Sequence, residues 1–305
     1  MKPRSKVLSR GGRALGAGVS AIVLALAGCS LPMPDNTNDS GVLFPYFDRD
    51  NCGVTVKYDL APIRAATLTP GATDLLGALG VSNRVVASGL GPDFARIRAT
   101  NSDFVYSGTM SGMTGQVPDQ DPVAGGVALR DGLQRYDHPT HVSVLYCPGH
   151  LQNLDTVYLE ATIVGDIFGV PEAAAKLVDD WRGEFNRLTE RMRGLRRPNV
   201  AIVDARGGQP KLAGPGSLAQ TLVTFAGGAN VATGSGQWLA SDWAAIKDAQ
   251  PDLVVLVDGS QVPADPSLAK KVTRLNGLDD GLFEAGPKVP EVAQRLAAIL
   301  HPDKF

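Results

Sequence analysis

The sequence carries no surplus of charge: 29 Lys and Arg stand against 31 Asp and Glu, a formal net charge of −2. A chain so balanced has no electrostatic grip on nucleic acid, and none is expected as a partner. The short motifs that announce chemistry are also missing. There is no G-x-S-x-G, no G-x-x-x-x-G-K-[ST], no H-E-x-x-H and no C-x-x-C, so the commonest nucleophile elbows, phosphate loops and zinc sites are excluded. Histidines number four. His138 and His141 lie three apart with His150 nearby, but Pro139 between them disfavours a helix and no acidic partners gather there. Neither a resident metal nor a haem iron is expected on them, and no cofactor is assigned. With no nucleophile and base to pair, an enzyme is not expected.

Cysteines number three. Lys2, Arg4, Lys6, Arg10 and Arg13 form a basic start, followed by an apolar stretch over residues 14–27 that is too short for an ordinary membrane span. It ends in Leu26-Ala27-Gly28-Cys29, which resembles the lipobox of bacterial lipoproteins. Residues 1–29 therefore read as a lipoprotein signal peptide, with Cys29 lipidated and anchoring the chain to the extracytoplasmic face of a membrane. Residues 30–50, rich in Pro, Asn, Asp, Ser and Gly, read as a flexible tether. In an exported protein the remaining Cys52 and Cys147 are expected to pair, the alternative being two separately buried thiols.

From Pro171 onward, Ala174, Leu177, Val178, Trp181, Phe185, Leu188, Met192 and Leu195 recur at three- and four-residue steps. That is the period of an amphipathic helix opened by a proline and stopped by Arg196, Arg197 and Pro198. Such a helix spans roughly 35–40 Å, enough to join two lobes. On either side, short apolar runs alternate with helical stretches, as in parallel βα units. Strands are expected at residues 64–68, 84–88, 104–107 and 141–146 before the helix, and at 199–204 and 253–257 after it. A first helix is expected to open at Thr73-Asp74, a last one to cover residues 289–300, and one flanked by Trp238 and Trp243 to run to Gln250. The fold class is α/β, two Rossmann-like lobes joined by one long helix with a cleft between them. Its boundaries are 51–153 for the N-terminal lobe, 154–198 for the interlobe helical segment and 199–305 for the C-terminal lobe.

Ligand contacts in such a fold gather at strand ends. Arg206 follows a strand end, and its donor fork suits a carboxylate or phosphate; a surface arginine paired to an acid is the alternative. Trp238 and Trp243 offer broad apolar faces for a large planar ligand or, equally, core packing. Thr69, Tyr106 and Asp258 stand at strand ends as further candidates. Residues 108–126 read as a loop, with Met110 and Met113 either on an ordinary surface turn or on a lip over a site. Residues 214–217, GPGS, lack the lysine of a phosphate loop and read as a strand-to-helix turn.

Three segments add a resemblance. Residues 68–89 (LTPGATDLLGALGVSNRVVASG) resemble the start of the binding proteins that feed iron–siderophore, haem and cobalamin to ABC importers. Residues 164–181 resemble the opening of their interlobe helix. Residues 222–258, LVTFAGGANVATGSGQWLASDWAAIKDAQPDLVVLVD, resemble their second lobe and are the most specific of the three. The resemblance implies a monomer that binds a small metal-chelate ligand reversibly between its lobes, the ligand itself carrying iron or cobalt. Trp238 falls where cobalamin-binding members have a tryptophan lining the cleft. Tyr106, Tyr146 and Met110 are candidate axial ligands were the solute haem. The family presents an acidic residue on each lobe to arginines of the permease. Here those positions are Ala95 and Ala244, with Asp242 two residues from the second. The departure leaves a second expectation open, an envelope interaction protein that kept the fold and lost transport.

Overall fold

The computed structural model describes residues 47–114 and 129–305. The expected signal peptide with Cys29, most of the expected tether and the loop beyond residue 114 lie outside the described residues. The last residues assigned to the tether instead open a hairpin, β1 (Phe47–Asn51) and β2 (Val54–Tyr58), turned at Cys52 and Gly53. Asn51 couples this hairpin to the sheet. Its side chain donates to the Val142 carbonyl and accepts from the Val142 amide, both at 2.8 Å, and Arg130 donates to its Oδ1 at 2.7 Å. Cys52 is disulfide-bonded to Cys147, 95 residues away, at the same junction.

The N-terminal lobe is a four-stranded parallel sheet. In chain order come β3 (Ala65–Thr67), α1 (Pro70–Ala78), β4 (Val85–Ala87), α2 (Phe94–Ala99), β5 (Phe104–Ser107), α3 (Leu129–Arg135) and β6 (Thr140–Val142), with spatial order β4-β3-β5-β6. Strands β3, β5 and β6 are buried on both faces, as parallel strands covered by helices must be. The fourth strand is shorter than expected: after Val142 the chain turns into a 3-10 helix at Val144–Tyr146. Glu160 drives this turn by accepting the Val144 amide at 2.9 Å. The first helix begins at Pro70, not at Thr73-Asp74, because a proline fits the first turn of a helix without losing a hydrogen bond.

The C-terminal lobe repeats the plan. Its elements are β7 (Asn199–Asp204), β8 (Lys211–Ala213), α6 (Leu218–Phe225), β9 (Ala229–Asn230), β10 (Trp238–Ala240), α7 (Trp243–Asp248), β11 (Leu253–Leu256), α8 (Pro266–Ala269) and β12 (Val272–Arg274). The parallel core runs β9-β7-β11-β12, the same order as β4-β3-β5-β6. What is added is an antiparallel extension, β8 on β7 and β10 on β8. The stretch after Trp238 is thus a strand before it becomes a helix. Ser217 caps α6 by accepting the Gln220 amide at 3.1 Å, which makes residues 214–217 a strand-to-helix turn.

Between the lobes lie α4 (Leu154–Ile167) and the long α5 (Pro171–Met192). At about 1.5 Å per residue, α5 is about 33 Å long. It stops three residues before Leu195, because Arg193 leaves helical geometry and Gly194 takes a φ of +75°, a glycine stop. Its first half packs on α4, where Gly165 lets Ala174 approach so closely that a Cβ there would overlap it. Its second half packs on the C-terminal lobe, with Phe185 against Phe225 at 5.0 Å and Met192 against Gly227. One apolar core therefore runs along α5 beneath both sheets, and a last helix, α9 (Lys288–Leu300), closes it. Among the described residues no helix is long and apolar enough to cross a membrane.

Candidate functional site

Because both sheets have parallel cores, the loops that carry polar groups gather at the carboxyl ends of β3, β5, β7 and β11. Thr69 follows β3 and precedes α1. Its hydroxyl donates to Glu284 Oε2 at 2.5 Å and accepts from the Gly108 amide at 2.8 Å. Glu284 comes from the other lobe, in the segment between a 3-10 turn at Asp279–Leu282 and α9. Its carboxyl group also lies against Gly71 at the start of α1, and the backbone amides of Gly71 and Ala72 favour its ionised form. Gly108 has no room for a Cβ, which would overlap this carboxylate. Burial pushes the Glu284 carboxyl up to about 7, with Thr69 pulling it back and Asp280 pushing it further.

Phe283, one residue earlier, is the other half of the contact. Its ring stacks on Trp238 with centroids 5.0 Å apart and planes 18° from parallel, and the Arg206 guanidinium lies 5.4 Å from its centroid. Its carbonyl accepts from the Tyr146 hydroxyl at 2.8 Å, across to the N-terminal lobe. Lys288 adds an ion pair between lobes, reaching Asp74 of α1 at 3.2 Å and Asp280 at 2.9 Å. The structure thus brings together Thr69, Trp238, Arg206 and Tyr146 around a dipeptide, Phe283-Glu284, that pattern reading did not single out.

Other candidates stand elsewhere. Tyr106 does not face the cleft: it is fully buried inside β5, and its hydroxyl donates to Glu160 at 2.6 Å. His141 binds the same carboxylate at 3.1 Å, so this trio pins α4 to the sheet. Burial alone would raise the Glu160 carboxyl, but His141, Tyr106 and the Val144 amide hold it below its ordinary value. Trp243 begins α7 and packs with Ala201, Val203 and Ile246 on the outer face of the sheet, opposite to the face that Trp238 covers. Met110 is half-buried in a 3-10 turn over the second core of the N-terminal lobe, against Leu68 and Phe94. Asp258 accepts the Gly277 amide at 2.8 Å, and its own amide donates to Asp279 at 3.0 Å, so it braces the segment that leads to Phe283. Arg206 is paired with Asp204 through bonds of 2.9 and 2.7 Å, so its charge is already balanced. Among the described residues no three His, Cys, Asp or Glu side chains cluster as metal ligands.

Ala95 and Ala244 are exposed on the short helices α2 and α7. Each helix is preceded by an exposed aspartate acting as its cap. Asp93 accepts from Arg96 and Asp242 from Ala245.

Residues 140–273 match the family model described as periplasmic binding protein. No curated protein sequence matches the chain. Among solved structures, a protein of an ABC-type Fe3+-hydroxamate transport system from Saccharomonospora viridis aligns at 21% identity over 82% of this chain and 97% of its own, with a TM-score of 0.62. A periplasmic binding protein from Veillonella parvula aligns at 18% identity over 84% of this chain and 98% of its own, TM-score 0.66. The periplasmic vitamin B12 binding protein of Vibrio cholerae aligns at 15% identity over 79% and 98%, TM-score 0.59. At these identities the likeness is one of fold.

Proposed function

We propose, from the match of residues 140–273 to the periplasmic binding protein model, that the chain is a lipid-anchored, extracytoplasmic solute-binding protein for an ABC importer. Its solute is a large, flat metal chelate: an iron–siderophore, haem or a cobalamin-like compound. The observation that carries this is the Trp238 face, presented between lobes on a strand pair without a counterpart among the described residues of the N-terminal lobe. Here it is covered by a planar ring, with Arg206 beside it and Thr69 opposite. Solved proteins of this fold act in hydroxamate–iron transport and bind vitamin B12. Cys29 supplies the anchor, and the protein works as a monomer. Both lobes rest on one continuous helix, which favours small hinge movements over wide opening.

The test is tryptophan fluorescence of the purified protein titrated with a ferric hydroxamate siderophore, haemin and cobalamin. Saturable quenching by one of them, lost in Trp238→Phe, is expected. No quenching beyond inner-filter controls by any of the three would overturn the reading. A second reading, an envelope interaction protein without transport, is favoured by Ala95 and Ala244, since the acids nearest them, Asp93 and Asp242, already cap helices.

A further inference from the structure

The first turn of α1 has no side-chain cap from its own lobe, since Thr69 at the cap position turns its hydroxyl elsewhere. The carboxylate that meets its amides comes from Glu284, 215 residues away and 5% exposed. Phe283 meanwhile covers the indole face on which a flat ligand would stack. A planar ring followed at once by a carboxylate, one seated in each lobe, occupies the cleft from within.

We propose that Phe283 and Glu284 form an intramolecular latch that holds the lobes together and must withdraw before a ligand reaches Trp238. The ligand half of this inference rests on the solute-binding reading; the latch does not. The groups that face Glu284 are Thr69 and the α1 amides, Asp280 on its own segment, and Tyr146 of the 3-10 turn after β6, with the buried Tyr106 of β5 behind them within electrostatic reach. Lys288 of α9 bridges Asp280 to Asp74 of α1 close by. The geometry sets a direction with pH. Latched, Glu284 holds its proton up to about 7; freed into water, it titrates near 4.5. The latched form therefore binds the extra proton between these values. It is favoured below about 4.5, weakens as pH rises through this window, and stays weakest above 7.

Spin labels on Ala95→Cys and Ala244→Cys, exposed on one lobe each, report the lobe separation without any ligand. At pH 5 a single short distance is expected, and at pH 8 a longer population should appear, the closing constant falling about tenfold or more. Glu284→Gln, which keeps a hydrogen-bonding group but cannot ionise, should stay short at both pH values. Phe283→Ala should show the longer population at both. Distances unchanged across both variants and both pH values would overturn the latch. Opening on schedule while the siderophore, haemin and cobalamin all fail to bind would support the latch and count against the solute-binding reading instead.

Discussion

In the C-terminal lobe the helix after the first strand, α6, is capped by its own Ser217, whose hydroxyl accepts the Gln220 amide. In the N-terminal lobe the equivalent helix, α1, has no such cap and takes its carboxylate from the opposite lobe. The parallel strands follow the same order in both, so the difference is not one of topology. It lies in what each lobe leaves unsatisfied. Helix amides at a first turn demand an acceptor, and a lobe that does not supply one from within is open to a partner. The C-terminal lobe is complete in itself and carries extra parts, the β8–β10 pair and the Phe283-Glu284 segment. The N-terminal lobe is the receiving surface.

The comparison breaks most visibly at Glu160, because the described part of the C-terminal lobe has no equivalent of its buried contact with His141 and Tyr106. Glu160→Ala leaves three buried polar groups, the Tyr106 hydroxyl, the His141 ring and the Val144 amide, without their partner, and a loss of about 3–5 kcal/mol is expected in urea unfolding. A loss under 1 kcal/mol would show that the trio is not what holds α4 to the sheet. Ser217→Ala removes a local cap and should cost about 1 kcal/mol, without any change in the distance between labelled lobes. A shift in that distance would mean that the C-terminal lobe is not self-contained.

Much of this plan was legible in the chain. The apolar period after Pro171 marked α5, and the continuous run at residues 253–257 marked a doubly covered strand, because both patterns are local. Gly194 carries the signal for the helix stop, but Arg196, Arg197 and Pro198 are an equally good stop in the sequence and place the boundary further out. Tyr106 is a candidate by its place at a strand end, and Trp243 by its broad indole face. Position along a strand does not reveal which face a side chain takes, and one proved buried under Glu160 while the other covers the outer sheet. The latch was not legible. Residues 278–286, LDDGLFEAG, have no period, and the bonds that give them meaning reach back 137 residues to Tyr146 and 215 to Thr69.

If one lobe completes the other, amide hydrogen exchange at the first turn of α1 registers it. In Glu284→Ala the amides of Gly71 and Ala72 should lose protection by about tenfold or more, while the first turn of α6 exchanges as in the unaltered protein. Equal protection of α1 with and without the Glu284 carboxylate would contradict it.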